Sequence, residues 1–133
     1  MKKIILYSLL PALAMFVFVA AHNSAPAPTP VPEDLNLDWP EEVMTLLEQS
    51  CFDCHIAESG NIKGKSKLNF SKWEDYKLSK KVGKLNDISE ELKEKKMPPK
   101  KYLKKYPEKA LSDEEITVIT NWANNTADKL MEE

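Results

Sequence analysis

The chain has 133 residues, a formal net charge of −2, two cysteines and two histidines, which leaves room for one domain of ordinary size and excludes a multidomain reading. Its 19 basic residues are all lysine. A mildly acidic chain without arginine lacks the electrostatic footprint and the planar bidentate donors that favour nucleic acid, so no nucleic-acid partner is expected.

Residues 1–21 begin Met1-Lys2-Lys3, continue as an apolar run broken once by Pro11, and end Val19-Ala20-Ala21. A positive start, an apolar centre and small residues at the end are the layout of a secretory signal. The run is also just long enough to span a bilayer as an uncleaved anchor. In either form the domain is expected to be exported, most simply to a bacterial periplasm, and to meet a membrane only through an uncleaved leader. Residues 22–37 form a Pro-rich linker in which Pro26, Pro28, Pro30 and Pro32 alternate with other residues. Such a strip is extended, ~3.1 Å per residue. It serves as a spacer that exposes the cleavage site or, with the leader retained, as a stalk. Residues 38–133 remain for the folded unit, small enough that its core often needs help from a metal, a disulfide or a cofactor.

That unit reads as helical. Glu41 to Ser50 carries Val43, Leu46 and Leu47 after Asp38-Trp39-Pro40, an N-cap and an early proline. A second helix is expected from Ser71, with Glu74 completing a capping box. Val82, Leu85, Ile88 and Leu92 then share one face, and Pro98-Pro99 end the helix. Ser112 and Glu115 form another capping box, after which Ile116, Ile119, Ala123, Ala127 and Leu130 recur at helical spacing. The connections at residues 56–70 and 97–111 are long for so small a unit, and long loops usually have a job.

Between the first two helices lies Cys51-Phe52-Asp53-Cys54-His55, the Cys-x-x-Cys-His pattern of covalent c-type haem attachment. Cysteines three apart at a helix end point their sulfurs to one side, where each can form a thioether with a vinyl group. His55 can then ligate the iron from the proximal side. Three other readings fit less well. A Cys51–Cys54 disulfide closes a tiny loop and gives His55 no role. A thioredoxin-type pair wants a preceding strand, and zinc wants a fourth ligand.

The second axial ligand follows by elimination. His22 stands at the leader boundary, and Met1 and Met15 belong to the leader. Met44 shares a helix with Cys51, and Met131 lies on the last turn. Met97, followed by Pro98-Pro99, stands where an extended segment can cross a haem face. A lysine ligand or an open position is the alternative. Trp73 and Trp122 read as haem-pocket or helix-packing aromatics rather than electron relays. The polar tips of Asn69, Tyr102 and Tyr106 either reach a haem propionate or the methionine sulfur, or close loops.

The order of Cys-x-x-Cys-His, Leu68-Asn69-Phe70-Ser71-x-Trp73, Met97-Pro98-Pro99, Tyr102-Leu103, Pro107, Leu111-Ser112 and Trp122 resembles the small exported haem-binding-domain proteins, monohaem c-type cytochromes. The resemblance runs over about residues 38–125. It implies an all-α, cytochrome c-like fold of three to five short helices around one covalently bound haem c, held by Cys51, Cys54, His55 and Met97. The chain departs from the family in having Tyr106 where a histidine often precedes the proline, which removes a rival ligand. It also has a shorter insert between the haem motif and the Leu-Asn-Phe segment.

Charge falls in blocks: residues 22–62 hold eight acids and no lysine, residues 63–109 hold 16 lysines and seven acids, and residues 110–133 hold six acids and one lysine. Lys100, Lys101, Lys104 and Lys105 are expected to ring the haem edge, either to steer an acidic redox partner or as a solvated face. The function expected is that of a one-electron carrier, not an enzyme. The alternatives are a haem enzyme or ligand sensor with a displaceable sixth ligand, and a haem-free thiol oxidoreductase.

Overall fold

The computed structural model describes residues 39–132. The leader and the whole Pro-rich linker, and with them the domain boundary expected at residue 38, lie outside the described residues. Among the described residues every regular element is helical: α1 (Glu41–Ser50), α2 (Phe52–His55), α3 (Ile62–Lys67), α4 (Leu78–Lys93), α5 (Lys100–Leu103) and α6 (Asp113–Glu132), with single 3₁₀ turns at Phe70–Lys72 and Pro107–Lys109. The all-α expectation holds. The count is six α-helical segments rather than three to five, because both long connections contain a short helix and a 3₁₀ turn. None of the described helices is long and apolar enough to cross a membrane.

The scaffold is the α4–α6 pair, with α1 laid against α6. Leu85, Ile88 and Leu92 of α4 and Ile119, Ala123 and Ala127 of α6 are buried together with Val43, Leu46 and Leu47 of α1, as the periodicity predicts. Alanines at two of the α6 positions let the helices approach closely. Buried among them is Ser89, whose hydroxyl has no hydrogen-bond partner among the described residues. At one end of this core Trp39 packs against Phe70, Trp73 and Trp122 at ring-centroid distances of 5.8, 5.0 and 4.6 Å.

Three helix ends bear on the site. The Ser112–Glu115 capping box forms in both directions: the Ser112 N–H donates to Glu115 Oε2 at 2.7 Å and the Glu115 N–H to Ser112 Oγ at 3.2 Å. The Ser71–Glu74 box does not form, and α4 starts seven residues later, at Leu78, after the N-cap residue Lys77. Asn69 explains this, because its Oδ1 takes the Ser71 N–H at 3.1 Å while Ser71 Oγ accepts from the Ala57 N–H at 3.0 Å. The serine is thus committed to tying two loops together. For α1, the N-cap position is Pro40, which offers no side-chain cap; Asp38 lies outside the described residues.

The C-terminus of α4 also differs from expectation. The helix ends at Lys93, well before Pro98-Pro99. The Lys96 N–H donates to Glu91 O at 2.9 Å and the Lys95 N–H to Leu92 O at 3.0 Å, and Lys95 has φ +53°. This is a Schellman motif, with lysine at the left-handed position that usually belongs to glycine. The chain therefore turns off the helix before the prolines, and Met97 stands on a non-helical segment, followed by a cis peptide to Pro98.

Candidate haem cleft

Cys51 caps the end of α1 and the start of α2, so the Cys-x-x-Cys-His motif straddles a helix break. The Cys54 and His55 N–H groups both donate to Cys51 O, at 3.1 and 3.0 Å. One turn of α2 thereby puts Cys51, Cys54 and His55 on the same side. Phe52, between the cysteines, points inward and is fully buried against Phe70. Its burial fixes the opposite face of that turn outward, toward a cleft of about 240 Å³ with predominantly apolar walls.

The cleft has two walls. Cys51, Cys54 and His55 form one, joined by Asn61, Lys63, Gly64 and Lys67 of the α3 region; Met97, Pro98, Pro99 and Tyr102 form the other, with Leu92 of α4 between them. All four residues singled out from the sequence are thus brought to one slot. Among the described residues no three His, Cys, Asp or Glu side chains converge as a metal-ion site. The donors are spread along a slot, which suits a flat ring better than a single ion.

His55 is held by its surroundings. Its Nδ1 lies 3.0 Å from Leu68 O. A carbonyl only accepts, so Nδ1 carries the proton and Nε2 keeps its lone pair for a ligand. Phe70 contacts the ring edge-on at 6.4 Å. The Leu68-Asn69-Phe70 segment is therefore a positioning strap, in which the Asn69 N–H donates to the Tyr76 hydroxyl at 3.1 Å. Asn69 closes a loop and does not line the cleft. Desolvation, and then the neighbouring Cys54, push the half-buried Cys51 thiol up to about 12, so it is protonated at neutral pH.

Gly64 is a residue that the sequence reading missed. A Cβ there would lie 2.5 Å from Cys54 O, so α3 packs against the motif only because this position has no side chain. Asn61 caps that helix by accepting the Gly64 N–H at 2.8 Å. The insert between the motif and the strap, residues 56–67, thus packs against the motif.

The other missed group is Asp53, inside the motif. Tyr102 Oη donates a hydrogen bond to its Oδ2, and Lys109 Nζ stands 3.3 Å from the same oxygen. Burial and then the Asp53 carboxylate raise the Tyr102 pKa, so the phenol keeps its proton. Tyr106 packs on Tyr102 at 5.0 Å. Trp73 and Trp122 belong to the aromatic cluster and do not line the cleft. Lys100, Lys101, Lys104 and Lys105 are exposed on and just beyond α5.

Residues 60–125 match the family model described as the haem-binding domain. The match contains the strap, Gly64, Met97 and Tyr102, and begins five residues after His55. No curated protein and no solved structure matches the chain.

Proposed function

The chain carries the haem-binding domain, and on that premise we propose that it is an exported c-type cytochrome, binding one haem covalently and passing single electrons between redox partners. The observation that carries this reading is the meeting of two thiols, an imidazole with a free Nε2 and a thioether along one apolar slot. Haem bound there supplies a one-electron ferric/ferrous couple.

Each residue has a distinct part. Cys51 and Cys54 would hold the haem by adding their thiols across its vinyl groups as thioethers, and His55 would offer Nε2 to the iron. Met97 offers its sulfur from the other wall, which favours the ferrous form. The slot, about 240 Å³, is smaller than the ~300–1,000 Å³ of a typical ligand pocket, so a haem held there would leave part of its edge outside the slot. Lys63 and Lys67 line the slot, and Lys100, Lys101, Lys104 and Lys105 are exposed close in sequence to the lining residues Pro99 and Tyr102, which suits approach of an acidic partner from that side. Two protein ligands leave no iron position for a substrate, and this favours a carrier over an enzyme or sensor.

Acid–acetone extraction of the denatured exported protein, followed by reductive titration of the native form, tests the reading. The colour is expected to stay on the polypeptide and reduction to take up one electron per chain. Colour that leaves the chain overturns covalent attachment, and multiple turnover with peroxide overturns the carrier role.

A further inference from the structure

The two walls of the cleft are joined through Asp53. This residue stands between the haem-attaching cysteines, where the Cys-x-x-Cys-His spacing asks for no acid, yet its carboxylate reaches 49 residues along the chain to Tyr102. Tyr102 follows Met97 by five residues. Pro98 and Pro99 lie between them, and Pro99 O accepts the Tyr102 and Leu103 N–H groups at 2.8 and 3.1 Å. Two prolines and one closed helical turn make a stiff link, so a displacement of Tyr102 passes to Met97.

Met97 has little else to hold it. The residue is 38% exposed, and its N–H reaches Glu91 O at 3.3 Å. The later part of the same segment is gripped from the motif side as well. Ser50 Oγ donates to Lys109 O at 2.8 Å, and Lys109 Nζ pairs with Asp53. That ion pair is mostly shielded, with side-chain exposures of 13% and 25%, unlike an ordinary surface pair.

We propose that Asp53 is a positioning residue for the distal ligand: by accepting the Tyr102 hydrogen bond, it holds the Met97 segment closed over the cleft and limits how fast the methionine leaves. The proposal rests on Met97 being that ligand. The motif that attaches the haem on one side thereby also fastens the opposite wall.

The test compares Tyr102→Phe, Asp53→Ala, Asp53→Asn and Met97→Ala in the full-length haem-loaded protein. The readouts are the rate of carbon monoxide binding to the ferrous form, the far-red absorption of iron–sulfur ligation, and the thermal midpoint. Phenylalanine keeps the ring in the cleft wall and removes only the donor. Tyr102→Phe and Asp53→Ala are expected to speed carbon monoxide binding about tenfold, equivalent to ~1.4 kcal/mol, and to weaken the far-red band. Asp53→Asn loses the charge for Lys109 but keeps an oxygen for Tyr102, so it retains the wild-type rate. A wild-type rate in Tyr102→Phe, or a lowered midpoint in Asp53→Ala with band and rate unchanged, overturns the tether. A far-red band that survives Met97→Ala overturns the ligand assignment beneath it.

Discussion

The two walls of the cleft are built in different ways. The Cys51–His55 wall is assembled from near neighbours in sequence: one turn of α2, a cap at Asn61, a close approach at Gly64 and a strap at Leu68, all within 18 residues. The Met97 wall leaves α4 through a Schellman motif and is fastened to the rest by contacts that span some 50 to 60 residues. Short-range contacts have little loop-closure entropy to overcome, and long-range ones have more. The first wall is thus fixed by local contacts and the second by contacts distant in sequence.

Gly64→Ala strikes the first wall and is expected to have the largest effect. The added methyl meets the Cys54 carbonyl at a distance that only backbone movement relieves. A loss of about 1–3 kcal/mol is expected, measured by urea unfolding of the haem-loaded protein, together with a lower yield of attached haem. Unchanged stability would show that the close approach at Gly64 does not hold that wall. Charge reversal separates the walls as docking surfaces. Replacing Lys100, Lys101, Lys104 and Lys105 by Glu is expected to slow electron transfer to an acidic partner roughly tenfold at low salt and to leave the potential nearly unmoved. The difference should fade as the Debye length falls from ~30 Å at 0.01 M to ~8 Å at 0.15 M. The same loss from Lys63→Glu and Lys67→Glu alone would move the docking face to α3. The smallest effect belongs to Lys95→Gly, which relieves a left-handed backbone at the base of the Met97 wall. The Lys95–Asp113 pair that it removes is exposed on both sides and worth little. A gain of about 0.5–1 kcal/mol in thermal or urea unfolding is expected; a loss would mean that the lysine side chain holds the turn.

What could be read from the sequence follows the same division. The haem motif and the α4 and α6 faces are periodic or contiguous, and their residues stand where periodicity puts them. Both capping boxes satisfy the same pattern, but only Ser112–Glu115 forms, because Asn69 and Ala57 compete for the polar groups of Ser71. A four-residue pattern does not contain that competition. The Schellman turn was hidden because lysine, rather than glycine, occupies its left-handed position. Asp53 occupies an unspecified position of the Cys-x-x-Cys-His pattern, and no local signal joins it to Tyr102. The Leu68 carbonyl that orients His55 is backbone, for which side-chain identity gives no cue. The family match supports haem through residues 60–125, whereas the attachment motif lies before it and is argued from its own spacing.

The tryptophan cluster makes the site visible from outside. All three indoles of the chain are in ring contact through Trp39, and Phe70 touches both Trp39 and His55. Trp39 therefore sits two ring contacts from the imidazole and Trp73 and Trp122 three, so a strongly absorbing macrocycle at His55 would drain their excited state by energy transfer. Intrinsic fluorescence, dark when the cleft is filled and bright when it is empty, then becomes a label-free gauge of how many molecules in a preparation have matured.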